Sequence, residues 1–277
     1  MDSLKGYVSD DDLAIEPLNQ LGWQVETISW RDVKVDWNAF EAVVIRTTWD
    51  YQKSPNEFIR TLQKIDASRA RLANPLKIIR WNLSKLYLRE LGKNGIKIVP
   101  TIWSENRIDR ARFQKWLDYF QTDELVIKPI VSATAEFTYR LRNFTSELSE
   151  IFINKPFMVQ PLMPQIISEG EFSLFYFGGN YSHAILKTPQ EGDFRVQEEH
   201  GGLISAIVPT AKLRQAAQKV FDLIRPVPLY ARIDFVRSSE DDFCLMELEL
   251  IEPALYFRMD KKSAGRFAKA VDRWLKN

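Results

Sequence analysis

The chain has one cysteine, Cys244, and two histidines, His183 and His200, in 277 residues. One cysteine forms no internal disulfide, so a reducing compartment, the cytoplasm, is expected. So few sulfur and imidazole donors also exclude a His/Cys zinc site, and any metal must be held by oxygen. Net charge is lacking too. With 38 basic and 37 acidic residues the balance is +1, which leaves no basic footprint for nucleic acid. No apolar run reaches the roughly 18 residues that span a bilayer. The first dozen residues hold Asp10, Asp11 and Asp12 and no apolar stretch, so no secretory leader is read there. Neither G-x-x-x-x-G-K-[ST] nor G-x-G-x-x-G occurs, which argues against a P-loop and a dinucleotide fingerprint. Repeats, low-complexity segments and Pro/Gly/Ser-rich linkers are also missing.

What is present is ordinary globular composition, 45% hydrophobic and 27% charged, at a length that suggests about two domains. Early segments alternate strand-like and helix-like. Residues 25–28 and 42–45 read as strands. Ser54, Pro55 and Glu57 read as cap, first turn and capping box of a helix whose apolar face is Phe58, Ile59, Leu62 and Ile65. Strand and helix in alternation imply a parallel sheet. The middle of the chain reads as a helix over 82–91 capped by Asn82, a strand over 96–101, a helix carrying Phe113, Trp116, Leu117 and Phe120, and a strand over 125–130. The last third reads as strands over 157–160, 172–177, 181–187, 230–236 and 243–251, with amphipathic helices around 213–224 and 267–275. Late hairpins and an early parallel pattern suggest different sheets, α/β early and α+β late.

The run F-C-L-M-E-L-E-L-I over 243–251 carries the strongest chemical signal. Strict alternation puts Phe243, Leu245, Glu247, Glu249 and Ile251 on one face, with the two glutamates ~7 Å apart. A turn over 237–242 makes this strand a hairpin with 230–236, so Asp234 sits opposite or diagonal to Glu247. Three carboxylates on one face repel one another, and a divalent cation would relieve them. A solvated outer face explains the pattern about equally well, and Arg232 could neutralise one glutamate with no metal. Two lysines break local rules. Lys128 lies inside the apolar run L-V-I-K-P-I, and Lys85 sits in a first helical turn, where a cation opposes the dipole. Taken singly, each is more often a snorkelling or edge residue. Together with the acids they suggest a phosphate site, amines for oxygens and carboxylates for magnesium.

In chain order these residues resemble the ATP-grasp superfamily, over nearly the whole chain. Lys85 in N-L-S-K comes first, Lys128-Pro129 second, then M-V-Q-P-L-M over 158–163, which resembles the hinge strand that holds adenine through Gln160, Pro161 and Leu162. Asp234, Glu247 and Glu249 match the magnesium ligands. The C-terminal half is similar to glutathione synthetases. There Glu171 matches a ribose contact, Lys187 stands where an arginine lies near the phosphates, and Phe194 to Gln197 with Gly201 and Gly202 match a closing loop. The cyclo-ligases of cycloserine biosynthesis, which act on an O-ureido-serine, are the subgroup suggested by V-I-R-T-T-W-D-Y (44–51), R-W-N-L-S-K (80–85), I-K-P-I-V-S-A-T-A (127–135) and E-L-E-L-I-E-P (247–253). The chain departs from the glutathione-synthetase pattern in three places. Ser132, Ala133 and Thr134 replace a glycine-rich phosphate loop, Glu249 stands for asparagine, and Gln197 does likewise. Residues 1–8 also offer little of the apolar first strand expected, as a truncated start would.

The resemblance implies an ATP-grasp fold behind an N-terminal parallel-sheet domain, divided at 1–80, 81–157 and 158–277. It implies ATP and two magnesium ions as cofactors, and activation of a carboxylate as an acyl phosphate with release of ADP. Arg195 and Lys187 are the candidate catalytic residues. Arg46, Thr47, Thr48, Asp50 and Tyr51 are read as the substrate subsite together with Gln197, Gly201 and Gly202. An Arg46–Asp50 pair is the structural alternative, and Trp49 and His183 are read as packing. A small amino-acid-like substrate is expected, with no membrane or nucleic-acid partner and with a homodimer allowed. The other readings are a ligase acting on a peptide acceptor, a silent nucleotide-binding regulator, and a structural protein with decorative acids.

Overall fold

A computed structural model describes residues 1–105, 107–132, 136–238 and 242–277. Three sheets divide these residues. β1 (Ala42–Val44) and β2 (Arg71–Ala73) pair in parallel, joined through the helix Pro55–Asp66. β3 (Ile102–Ser104), β4 (Leu125–Pro129), β5 (Tyr139–Leu141) and β6 (Phe157–Pro161) form an antiparallel sheet in the order β3-β6-β4-β5. β7 (Glu171–Phe177), β8 (Asn180–Thr188), β9 (Leu203–Ile207), β10 (Tyr230–Arg237) and β11 (Phe243–Glu249) form the largest sheet, ordered β11-β10-β7-β8-β9 and antiparallel throughout. No helix among the described residues is long and apolar enough to cross a membrane.

β7 is buried at every position because it is central and covered on both faces. Phe172, Leu174 and Tyr176 meet Leu213, Ala217, Val220 and Phe221 of the helix Ala211–Phe221. Phe175 and Phe177 meet Phe267, Ala270 and Val271 of the C-terminal helix Ser263–Lys276. This second face changes character along its length. Phe177 pairs with Tyr230 at one end, while at the other Ser173 pairs with Asp234 and Glu171 with Lys187. The C-terminal helix covers the apolar end; the charged end opens into a cleft shared with β4 and β6.

The structure corrects several local readings. Residues 25–28 form no strand. Ser54 precedes a helix with Pro55 in its first turn, but its side chain caps nothing; its carbonyl accepts from the Glu57 amide instead. Asn82 does not cap a helix. It ends the helix Leu76–Asn82, and a second helix begins at Tyr87. The stretch 96–101 makes only a bridge, Ile98 beside Leu245, and the strand proper lies at β3. The glutamate face also differs from strict alternation. Leu245 pairs with Phe235 and Glu247 with Asp234, so Met246 is an extra residue, a bulge. The bulge reverses the phase of the strand: Phe243 and Leu245 join Leu248 and Leu250 in the core, and Glu247 and Glu249 turn to the cleft.

Candidate functional site

The cleft is lined from sequence-distant segments, and each charged group has an identifiable support. Lys85 stands in the turn between two helices, and three contacts fix that turn. The Asn82 amide donates to the Leu248 carbonyl at 2.8 Å and accepts from the Leu250 N–H at 2.8 Å, so it substitutes for a neighbouring strand along β11. The Tyr87 hydroxyl accepts from the Leu248 N–H at 2.9 Å. The Lys85 N–H donates to the Ile130 carbonyl at 2.7 Å. The ammonium then reaches Glu247 Oε1 at 2.5 Å and the Ser132 carbonyl at 3.1 Å.

Lys128 projects from β4 into the same cleft. Burial lowers its pKa, against the pull of Glu247. Burial would raise Glu247, but Lys85 and Lys128 outweigh it and hold that carboxyl down to about 2. Lys187 lies between Glu171 at 2.7 Å and Asp234 at 3.7 Å. Burial and Arg232 push its pKa down, while Asp234 and Glu171 prevail and keep the ammonium charged. Arg232 reaches Asp234 at 3.0 Å and also grips Glu249. Glu249 is nevertheless pushed up to about 7, first by burial and further by Glu247 and Asp234, against Arg232. Adjacent acids on one strand are thus driven apart, one firmly ionised and one poised near neutrality.

This donor set fits a hard divalent cation, because every candidate ligand is a carboxylate oxygen. Among the described residues no three Asp, Glu, His or Cys side chains already converge as a coordination shell. Arg232 lies between Asp234 and Glu249, and Lys85 covers Glu247, so a metal would have to exchange with these cations.

Ser132, Gln160, Pro161, Leu162 and Glu171 also line the cleft. Ala133 and Thr134 lie outside the described residues. Gln160 donates to Thr101 Oγ1 at 2.9 Å, and the Leu162 N–H is engaged by the Glu124 carbonyl at 3.1 Å. From the loop over 190–202, Phe194, Arg195, Val196, Gln197 and Glu199 line the cleft. Arg195 is paired with Asp193 at 2.7 Å. Gly201 and Gly202 shape the loop instead of lining the cleft. Gly201 has φ +80°, and a Cβ on Gly202 would stand 2.1 Å from the Val196 carbonyl oxygen. Glu198 ties the loop to Arg258 at 2.6 Å, and Arg258 also holds Asp10 at 2.9 Å.

The segment over 46–51 divides. Tyr51 lines the cleft, and so does Trp49, read from sequence as packing. Arg46, Thr47, Thr48 and Asp50 do not. Arg46 is spent on Asp11 at 2.9 Å and the Pro253 carbonyl at 2.7 Å. The Arg46–Asp50 pair read as the structural alternative is absent too, because Asp50 is taken by Arg31 and by the Trp30 indole at 2.9 Å. Sequence reasoning passed over Tyr87, Glu252 and Tyr256, all cleft-lining. Glu252 carried a usable signal, an acid between Ile251 and Pro253 directly after the glutamate strand.

A family model for the N-terminal domain of D-cycloserine synthetase DcsG matches residues 1–74. The cycloserine biosynthesis protein DcsG of Streptomyces lavendulae is 28% identical over 283 residues, covering 95% of this chain and 92% of that protein. The crystal structure of D-cycloserine synthetase DcsG matches with a TM-score of 0.83 at 27% identity, over 95% of this chain and 94% of that one. The ATP-grasp ligase PsnB, solved with a phosphomimetic variant of its minimal precursor, Mg and ADP, shares the fold at a TM-score of 0.67 and 14% identity, over 95% and 94% of the two chains.

Proposed function

We infer that this chain, which belongs to the ATP-grasp superfamily and is an ATP-dependent ligase, activates the carboxylate of a small amino-acid-like substrate as an acyl phosphate. The carrying observation is the contact of Lys85 with Glu247 at 2.5 Å, opposite Asp234 and beside Lys128. Amines from two early segments and acids from a late hairpin meet in one cleft, the charge pattern that a magnesium-bound triphosphate requires.

In this reading Asp234, Glu247 and Glu249 would hold magnesium as two ions, supplying charge neutralisation at the phosphate oxygens. Lys85, Lys128 and Lys187 carry positive charge to the same oxygens, Lys85 and Lys187 preorganised by Glu247 and Glu171. Ser132 would meet the phosphates, Gln160, Pro161 and Leu162 the base, and Glu171 the ribose. The γ-phosphoryl group passes to the substrate carboxylate and ADP leaves. A nitrogen nucleophile then attacks the acyl carbon and displaces phosphate. Arg195, once released from Asp193, is the group whose fork suits the transferring phosphoryl or the acyl oxygen. The 190–202 loop, with Gln197 on the cleft wall, excludes the water that would hydrolyse the acyl phosphate.

Similarity to a D-cycloserine synthetase along almost the full chain supports a small substrate and ring closure within it, over a peptide acceptor. The test is ADP release from Mg-ATP across amino acids and their O-ureido and aminooxy derivatives. One or more should stimulate release at least tenfold, with a cyclic product by mass spectrometry. A flat response over the whole panel defeats the reading.

A further inference from the structure

Glu252 is a buried cleft acid to which the phosphate chemistry gives no task. It is 7% exposed, lines the cleft, and lies just past β11. Its main-chain carbonyl accepts from the Trp49 indole at 2.8 Å, which fixes the root of the side chain. Glu171, Asp234, Glu247 and Glu249 each touch a lysine or arginine. The Glu252 carboxyl, among the described residues, has neither an ion pair nor a hydrogen bond. Burial, reinforced by Glu249, raises its pKa well above the usual carboxylate range. A buried carboxylate without a partner is costly, and the cost is relieved by a proton or by a ligand's cation.

The surroundings decide which cation fits. Tyr51 lies close enough for Glu252 to be the charge that acts most strongly on its phenol, and the Tyr51 ring is held by stacking on Phe58 at 4.9 Å. Trp49 stands on the same wall. Aromatic faces beside a carboxylate suit an alkylammonium, whereas magnesium takes oxygens and water. We propose that Glu252, flanked by Trp49 and Tyr51, is the receptor for a protonated amino group that the substrate keeps through the reaction. This rests on the ligase reading above and deepens it: the substrate is an amino acid, recognised by its ammonium at one end of the cleft and activated at its carboxylate.

The experiment compares wild type with Glu252→Gln on each amino acid that stimulates ADP release, and on its des-amino analogue, such as 3-hydroxypropionate for serine. Glu252→Gln should raise KM for the amino acid about 100-fold. KM for ATP should stay within twofold and kcat within about fivefold. Wild type should show a similar penalty on the des-amino acid, to which the substitution adds nothing. The free variant should melt no lower than wild type, since the carboxyl it replaces has no ion pair or hydrogen bond among the described residues to lose. An unchanged KM for the amino acid overturns the proposal, and so does an equal rise for ATP, which would mark a nucleotide or metal ligand. If Glu252→Gln does not fold, Glu252→Asp takes its place, with a smaller KM shift of the same selectivity. A wild type inert on every acid defeats the ligase reading itself; an active wild type with an indifferent variant defeats only this inference.

Discussion

One face of the large sheet is two surfaces in series. Toward one end Phe175, Phe177 and Tyr230 lie under the C-terminal helix; toward the other Glu171, Lys187 and Arg232 open into the cleft, and Asp234 lies buried against Lys187 and Arg232 without lining it. The strands run without interruption from one surface to the other. The scaffold that burial makes rigid therefore carries the charged groups directly, and their spacing is set by ladder geometry, not by loops. The difference teaches where each kind of damage should register: at the charged end in turnover, at the apolar end in stability.

Removing the central ionic contact should have the largest effect. Glu247→Gln and Lys85→Met should each cut substrate-stimulated ADP release about 1,000-fold, or ~4 kcal/mol of transition-state stabilisation. Each should leave the far-ultraviolet spectrum unchanged. Loss of less than tenfold in both would mean that the contact is structural and that the charged end resembles the other.

The converse substitution belongs under the helix. Phe267 packs its ring on Phe177 at 5.3 Å and on Phe257 at 5.4 Å and is 4% exposed. Phe267→Ala should cost about 3 kcal/mol of stability by urea unfolding, from lost burial and the cavity left behind. At a temperature where the variant is folded, its kcat/KM should stay within twofold. A stability change under 1 kcal/mol, or a large change in turnover, would erase the contrast between the two ends.

The two ends were not equally legible in the sequence. Apolar periodicity marks Phe267, Ala270 and Val271, and the strand patterns of β4, β6, β7, β8, β10 and β11, because burial imposes a period on residue type. The carboxylates of β10 and β11 were legible as residue types and as opposed positions. Their orientation was not, since the bulge at Met246 leaves no trace in an alternating pattern and yet reverses which side chains share a face. Asn82 was misread for a related reason. Its amide bonds the backbone of β11, a contact across 166 residues that no local rule anticipates. Arg46 stood in a motif that the resemblance marked for substrate. Its partners Asp11 and Pro253, however, lie 35 and 207 residues away and claim it for the joint between the N-terminal segment and the sheet.

The smallest predicted effect lies on the apolar half, where a titratable group sits in the hydrophobic stack. His183 lies on Phe175 with ring centroids 4.2 Å apart, and its two ring nitrogens meet Ser182 Oγ at 2.9 Å and the Leu255 carbonyl at 3.0 Å. Burial lowers its pKa to about 4 from an ordinary 6.5, so the folded chain holds the imidazole neutral. Below pH 6.5 the unfolded chain takes up a proton that the folded chain refuses until about pH 4. The stability that neutral His183 carries is thus intact above pH 6.5 and lost progressively as pH falls toward 4. Between pH 7 and pH 5 the loss amounts to about 2 kcal/mol. Urea unfolding at both pH values, for wild type and for His183→Gln, isolates this one group, since the other titrations are common to both proteins. Wild type should lose about 2 kcal/mol more than the variant over that interval. Equal losses would place a charged imidazole inside the folded chain, and the apolar half would then tolerate charge as the cleft does.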